Sequence, residues 1–227
     1  MNDSSYTYQD SNGYTTSTLY WFEYEWINWT ILDETDGEYF LLCNSIIDSQ
    51  EYYDNYNTRT INGKTVYVNN YAESNIRKWL NETFYETAFN DLQQNLIQTT
   101  LVDNSAKSTY PYERKTNVNN GVNNYACENT NDKIFLLSEE EVTNSNYGFT
   151  NANNTARCRQ TSDYAQCQGA WTSGNTSYYG NGDWWLRSPD FISDECAVIV
   201  DFCGGDGGSC DITLIGKGVV PALKLVL

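Results

Sequence analysis

The sequence predicts an α+β fold in which antiparallel strands precede and follow two helices. Hairpin turn signals lie near the start of the chain, two helix-like segments with apolar residues at helical spacing lie within 74–97, and strand-like segments resume at 183. Because strands and helices are grouped instead of alternating, the pattern favours antiparallel sheets over β-α-β units. We expect residues 1–18 to be a flexible lead-in and 19–227 to form a single domain.

Two β-hairpins are predicted in the first part of the domain. Residues 26–32 alternate aromatic and aliphatic side chains, and Asp36-Gly37 separates them from the apolar run 39–43. Asn62-Gly63 marks a second turn. Asp-Gly and Asn-Gly favour two-residue hairpin turns because both turn positions take positive φ. The strands of the second hairpin are predicted at 58–61 and 65–68.

Two helices are predicted to follow the hairpins. Ser74 can cap the first, and Asn90 or Asp91 can cap the second. The first helix has one buried stripe, because its apolar residues recur three and four positions apart. These residues are Ile76, Trp79, Leu80 and Phe84, and the second helix carries Leu92, Leu96 and Ile97.

The centre of the chain is predicted to be mostly polar loop. Residues 103–131 are rich in Asn and indicate a long surface loop, and 144–182 are also loop-like. Between these loops, 132–137 reads as a buried strand. Ser138 and Glu141 then fit a capping box that opens a short helix.

The C-terminal part is predicted to consist of strands joined by glycine-rich turns. Trp184 and Trp185 are neighbours on one strand, so their side chains point to opposite faces and at most one is expected in the core. Trp29 and Trp79 are expected in the core. Arg187 is expected to bind backbone carbonyls or a buried acid such as Asp183. The strands are predicted at 183–187, about 196–202, about 210–215 and 219–226, with turns at 204–208 and 216–218.

Composition excludes several classes of function. The chain has 13 basic and 30 acidic residues, a formal charge of −17 and a pI near 4.1, which disfavours nucleic acid as a partner. It has no histidine, which removes Ser-His-Asp and Cys-His nucleophiles and histidine metal sites. Paired carboxylates, a Ser-Lys pair, a cysteine thiolate and an oxygen-ligated Ca²⁺ remain open. No membrane span or signal peptide is expected.

Metal sites and disulfides have weak support in the sequence. The run 204–211 partly resembles a calcium-binding glycine-aspartate repeat, but Ser209 stands where the repeat has aspartate. The cysteines are an odd seven and lack the close spacing of zinc ligands. We therefore expect no metal and no cofactor. Cys203 with Cys210, or Cys158 with Cys167, are conceivable disulfides.

Several sequence motifs, taken in order, resemble a mostly bacterial domain family with the C-type-lectin-like fold of the formylglycine-generating-enzyme type. Individually they are weak, but together they span nearly the whole chain. Val220 departs from the arginine that precedes Pro-Ala-Leu in that family. The motifs are Ile27-Asn28-Trp29-Thr30-Ile31-Leu32, Ser74-Asn75-Ile76-Arg77-Lys78-Trp79-Leu80-Asn81, Asp132-Lys133-Ile134-Phe135-Leu136-Leu137-Ser138, Thr161-Ser162-Asp163-Tyr164-Ala165, Trp184-Trp185-Leu186-Arg187-Ser188-Pro189 and Val220-Pro221-Ala222-Leu223.

The resemblance implies a C-type-lectin-like domain whose C-terminal strands display a binding face. Relatives with this fold include the variable proteins of diversity-generating retroelements, in which mutation of Asn codons yields no Glu, Lys, Gln, Met or Trp. Between Asp190 and Gly216 only Glu195 belongs to that excluded set. Strands and glycine turns also lack Glu and Lys for structural reasons, so the composition agrees with both explanations.

The sequence and the resemblance together predict a non-catalytic binding protein, extracellular or at a cell surface, with a protein or glycan ligand. The alternatives are a formylglycine-generating-type oxidoreductase, a carboxylate-based hydrolase, and a structural surface or phage-tail module. No catalytic residue is predicted. The predicted ligand-binding residues are Trp171, Tyr178, Tyr179, Asp190, Phe191, Ile192, Ser193, Asp194, Phe202, Cys203, Asp206, Ser209, Cys210, Asp211 and Thr213.

Overall fold

The computed structural model of the chain describes residues 9–15, 17–109, 123–150 and 155–227. The predicted lead-in and the loops at 103–131 and 144–182 lie partly outside the described residues. The helices are α1 Asn75–Trp79, α2 Tyr85–Ala88, α3 Asp91–Leu96, α4 Glu139–Val142 and α5 Asp163–Cys167. The strands are β1 Trp29–Thr35, β2 Glu38–Cys43, β3 Ser45–Ile46, β4 Asp48–Ser49, β5 Arg59–Ile61, β6 Lys64–Val66, β7 Thr100–Val102, β8 Thr130–Asp132, β9 Ile134–Phe135, β10 Gln160–Thr161, β11 Trp184–Pro189, β12 Cys196–Val200, β13 Asp206–Asp211, β14 Gly218–Val219 and β15 Ala222–Val226.

Two larger sheets carry the core. One has the strand order β1-β2-β15-β9, and the other has the order β13-β12-β11-β14-β4. Most strand pairs are antiparallel, although β11 pairs in parallel with β14 and β10 pairs in parallel with β3. The fold is therefore mixed α+β and mostly strands, as predicted, with parallel pairs that the sequence did not indicate.

Both predicted hairpins are present, because their turns are determined locally. Asp36 and Gly37 take φ of 51° and 81°, and Asn62 and Gly63 take φ of 51° and 77°. These positive values at two consecutive residues join antiparallel strands with the right twist. The first strand begins at Trp29, three residues later than its alternating pattern predicted.

The helix caps also follow the prediction. The Ser74 side chain accepts from the Arg77 N–H, and Asn90 forms a capping box with Gln93. A π-helical turn, Leu80–Phe84, joins α1 to α2. The apolar stripe is buried at Ile76, Leu80 and Phe84. In α3, in contrast, Leu92 and Leu96 are exposed and only the following Ile97 is buried.

Several elements of the fold were missed or misplaced by the sequence. β10 and α5 lie in the segment predicted as loop, and β7 pairs with β8 across the central loop. The strand predicted at 210–215 is β13, which lies earlier and includes part of the predicted glycine turn. The strand predicted at 219–226 is split into β14 and β15, because Val220-Pro221 interrupts the hydrogen bonding.

Trp184 and Trp185 are both fully buried, so the expectation that at most one lies in the core is wrong. β11 is the central strand of its sheet, and both of its faces are covered. The Trp184 indole N–H donates to the Arg157 carbonyl at 3.1 Å, and the Trp185 indole N–H donates to the Gln50 carbonyl at 2.9 Å. Trp29 and Trp79 are only partly buried against the core.

Arg187 on β11 has the predicted role with a different acid. Its guanidinium donates to the Leu136 carbonyl at 2.8 Å and the Asp103 carbonyl at 3.1 Å, and it pairs with the Glu141 carboxylate. Asp183, the acid suggested by the sequence, pairs instead with Lys217 at 2.6 Å. The partner, Glu141, comes from α4. Arg187 lies in the buried middle of β11 next to Leu137, and α4 follows Leu137 closely in the chain.

Asp48 on β4 is a buried carboxylate whose protonation affects stability. Its side chain accepts from the Ser49 N–H at 2.7 Å, and burial raises its pKa from 3.8 to about 6. The folded state therefore binds a proton more tightly than the unfolded state. The stabilisation from that proton is complete below about pH 4 and is lost as pH rises through about 6.

We expect Asp48→Asn to stabilise the fold at pH 7 and above. The gain is about 2–3 kcal/mol, because a shift of one pKa unit corresponds to about 1.4 kcal/mol. It should shrink as pH falls through about 4 and disappear below about pH 3, where Asp48 is protonated in both states. Urea unfolding across this pH range measures the difference. Asp54→Asn, at an exposed position, is the control; an equal gain there would show that only net charge matters.

Candidate functional site

Thirteen of the fifteen predicted ligand-binding residues fall into two groups at opposite ends of β12. Cys196 at one end of the strand is paired with Asp211, and Val200 at the other end is paired with Asp206. Four residue steps along a strand separate these pairs by about 13 Å. The first group is the loop-end cluster: Asp190, Phe191, Ile192, Ser193, Asp194, Asp211 and Thr213. The second is the turn-end face: Trp171, Tyr178, Tyr179, Phe202, Cys203 and Asp206.

The turn-end face is built around the Phe202 ring. Trp171 contacts it edge to face with centroids 5.4 Å apart, and Tyr178 does so at 5.9 Å. All three rings are half-buried, whereas Tyr179 is 75% exposed. The face therefore offers a packed aromatic surface with one projecting phenol.

Backbone hydrogen bonds hold the turn-end face in place. The Asp183 carboxylate accepts from the Phe202 N–H at 2.9 Å, and the Asn181 side chain donates to the Phe202 carbonyl at 3.1 Å. In the following turn, Asp201 accepts from the N–H groups of Cys203 and Gly205. These bonds fix the backbone of the turn that carries Phe202.

Arg157 supports the turn-end face from beneath. It is fully buried and donates to the Gly204 carbonyl at 2.8 Å and to the Val142 carbonyl at 2.7 Å. Its guanidinium also lies 3.4 Å from the Asp206 carboxylate. Asp206, which the sequence predicted as a ligand contact, is thus part of the support of the turn. Sequence reasoning missed Arg157 because it lies in a polar segment without periodicity.

The loop-end cluster is held by hydrogen bonds between two buried side chains and the loop backbone. Asp190 is 8% exposed, and its carboxylate accepts from the N–H groups of Ile192 and Ser193. The buried Asn69 side chain donates to the Ser193 and Cys196 carbonyls, both at 3.0 Å. The Ile192 side chain is exposed. Asp190 and Asn69 therefore shape the loop, and sequence reasoning gave no signal for Asn69.

Asp211 and Thr213 bind to Tyr56, which the sequence did not indicate. The Tyr56 hydroxyl lies 2.9 Å from the Thr213 hydroxyl and donates to the Asp211 carboxylate. Burial acts to raise the pKa of Asp211, but hydrogen bonds from Tyr56 and Thr213 outweigh it, so the pKa is lowered. Asp211 thus stays ionised, and its charge is already hydrogen-bonded within the fold.

Ser209 and Cys210 lie between the two groups on the edge strand β13. Ser209 is exposed, whereas Cys210 packs partly against the core. All seven cysteines are free thiols, so neither conceivable disulfide is formed. Burial raises the pKa of every one of them, to about 11 for Cys43. A raised pKa lowers the thiolate fraction, and with it the nucleophilicity.

The described part of the chain offers few groups for metal or pocket chemistry. Within residues 9–15, 17–109, 123–150 and 155–227, no three His, Cys, Asp or Glu side chains converge as metal ligands. A shallow polar depression of about 350 Å³ is lined by Tyr85, Asp91, Gln94, Asn95 and Lys133, none of which was predicted as a ligand contact. None of the described helices has the length and apolar character needed to cross a bilayer.

Comparison with known proteins places the chain in a family. Residues 36–227 match the family described as Domain of unknown function (DUF6273). No curated protein and no solved structure matches the chain. The match covers both larger sheets except β1, together with both candidate groups. The chain therefore belongs to the DUF6273 domain family, and residues 36–227 are its family domain.

Proposed function

We propose that this protein is a non-catalytic ligand-binding protein whose recognition surface is the turn-end face. The packed rings of Trp171, Tyr178 and Phe202 are the observation that carries this proposal. Half-buried aromatic side chains held on a hydrogen-bonded turn give a large contact area at low entropic cost, as in antibody paratopes. The exposed Tyr179 adds a phenol that can both stack and hydrogen-bond.

The ligand class that suits this surface is a protein or a glycan. Aromatic faces pack against apolar side chains or against the C–H faces of sugars. The charged groups nearby, Asp183, Asp201 and Asp206, are already engaged within the fold. Recognition would therefore depend on ring contacts and on neutral hydrogen-bonding groups, with no metal or cofactor.

The reactivity of the thiols supports a binding function over a formylglycine-type oxidoreductase. Such chemistry needs a pair of cysteines in their reactive, ionised form. Every cysteine here has a raised pKa, chiefly through burial. A thiol with a raised pKa is a poor nucleophile at neutral pH when no metal is bound to it.

The C-type-lectin-like fold and a diversified surface are finer parts of the same proposal. Both rest on the sequence motifs, and we place the protein outside the cell or at a cell surface on the same basis. Within 190–216, the buried residues Ala197–Val200 form the core of β12, so diversification would be confined to outward residues such as Ile192 and Ser209. A neighbouring reverse-transcriptase gene and a near-copy of the 3′ coding region are the expected genomic signs.

We expect Tyr178→Ala and Tyr179→Ala to abolish ligand binding without unfolding the domain. Tyr179 is exposed, so its removal should change the unfolding free energy by less than about 0.5 kcal/mol. Tyr178 packs on Phe202, so its removal should cost about 1–2 kcal/mol, which leaves the domain folded. Binders are first selected from immobilised glycans and from a displayed peptide library. Each binder is then titrated against the variants, and thermal unfolding is measured in parallel.

Ile192→Ala is the matched control, because it removes an exposed apolar side chain at the other end of β12. We expect it to leave binding unchanged. Binders that lose affinity with Ile192→Ala, and not with the tyrosine variants, would move the recognition surface to the loop-end cluster and contradict the proposal.

A further inference from the structure

The segment before β1 exposes an unusual amount of aromatic surface. We define residues 19–26 as the aromatic strap. Leu19, Trp21, Tyr24 and Trp26 are 76%, 87%, 87% and 83% exposed. Since an aromatic side chain presents about 150–250 Å², the strap leaves on the order of 600 Å² of apolar surface in water. Four large apolar side chains exposed within eight consecutive residues are concentrated enough to indicate an interaction site.

The strap is held against the domain by residues on either side of its exposed rings. Phe22 packs edge to face on Tyr164 of α5, with centroids 5.5 Å apart. Upstream, the Asn12 side chain donates to the Ala170 carbonyl at 2.9 Å. Downstream, Trp29 of β1 packs against the core. The outward side chains are therefore presented on a segment with fixed ends, which lowers the entropic cost of binding.

The charged residues within the strap and on the following strand β1 are all acidic. Glu23 and Glu25 lie between its aromatic residues and are exposed, as are Asp33 and Glu34 on β1. Arg59 is the first basic residue in the sequence. Aromatic faces attract cations, and adjacent carboxylates strengthen that attraction. A second copy of this chain, with its charge of −17, and an anionic lipid surface would both be repelled.

We propose that the aromatic strap is a docking site for a cationic polypeptide segment in which Lys or Arg residues alternate with apolar ones. The apolar side chains of such a segment cover Trp21 and Trp26, and its cations lie beside Glu23 and Glu25. This surface differs from the turn-end face. It also lies outside residues 36–227, the matched family domain.

The test uses the full chain and a fluorescent synthetic peptide of alternating Lys and Leu, titrated by anisotropy at physiological ionic strength. We expect Trp21→Ser with Trp26→Ser to weaken binding about tenfold, and Glu23→Gln with Glu25→Gln to weaken it about threefold. Neither pair should lower the unfolding temperature, because these side chains are exposed. A Glu-Leu peptide should not bind.

Two matched pairs control for general stickiness. Leu92→Ser with Leu101→Ser removes two exposed apolar side chains that lie outside the strap. Glu82→Gln with Glu86→Gln removes the same charge as the strap pair, from the π-helical turn and from α2. Both pairs should bind the peptide like the wild type. If they weaken binding as much as the strap variants do, the strap is not the docking site.

Two further measurements separate other occupants of the strap. Binding to neutral phosphatidylcholine vesicles that is lost in the tryptophan pair would assign the strap to a membrane surface and overturn the proposal. Self-association in sedimentation velocity that is lost in the same pair would assign it to a second copy and would also overturn it. We expect the wild-type chain to be monomeric and not to bind these vesicles.

Discussion

Replacing Arg187 by alanine is expected to destabilise the domain strongly while leaving it folded enough to be measured. The guanidinium is 99% buried and binds the Glu141 carboxylate and two backbone carbonyls, at Leu136 and Asp103. Removing it leaves two backbone carbonyls without that donor and leaves the Glu141 carboxylate, which still accepts from the Ser138 N–H, without its counter-ion, at a cost of about 3–5 kcal/mol. That is a large part of the 5–15 kcal/mol by which domains are typically stable. Urea unfolding followed by circular dichroism measures the loss.

A double variant separates the stranded charge from the lost packing. Arg187→Met with Glu141→Gln retains volume and removes both charges, so we expect it to recover at least about 1 kcal/mol relative to Arg187→Ala. Lys78→Ala breaks the exposed pair with Glu82 and should cost less than about 0.5 kcal/mol. If the double variant is no more stable than Arg187→Ala, the unpaired Glu141 carboxylate is not the cause of the loss.

Trp185→Ala is expected to cost about 3–5 kcal/mol, because it leaves a large cavity beside the central strand. The Trp185 ring is fully buried and packs edge to face on Tyr52, with centroids 5.5 Å apart. Its indole N–H donates to the Gln50 carbonyl. Loss of the ring also leaves that carbonyl without its partner. Equilibrium unfolding by guanidinium, monitored by circular dichroism, gives the difference.

Two other tryptophan substitutions serve as comparisons for the stability loss in Trp185→Ala. Trp185→Phe keeps most of the apolar contact and loses the hydrogen bond, so it should cost about 1–2 kcal/mol. Trp26→Ala removes a ring of the same size from the exposed aromatic strap and should change stability by less than about 0.5 kcal/mol. A comparable loss at Trp26 would show that the strap is part of the folded core.

The success of the sequence predictions depended on how local each feature is. The turns at Asp36-Gly37 and Asn62-Gly63 and the caps at Ser74 and Ser138 are present as predicted. Each is specified by residues within about four positions, through positive φ or a side-chain bond to a nearby N–H. β10 and α5 lie in a polar segment that was predicted as loop. Ser162 caps α5, but this cap was not recognised from the sequence.

The candidate site shows where sequence reasoning stopped. It gathered fifteen residues into one face from their order along the chain, but it could not see that β12 divides them. The aromatic cluster of Trp171, Tyr178 and Phe202 joins a loop to a turn that are separated in sequence. Asn69 and Arg157 donate hydrogen bonds to backbone carbonyls that are distant in sequence. Their local sequence does not distinguish them from surface residues.

The amino-acid sequence by itself determined the α+β class, the hairpins, the helix caps and the need of Arg187 for buried partners. These depend on backbone preferences and on the cost of burying a charge, and both are properties of short segments. Only the tertiary structure decided that Trp184 and Trp185 are both buried and that Trp21 and Trp26 are not. Burial depends on which elements cover each face, and contacts between distant segments determine that coverage.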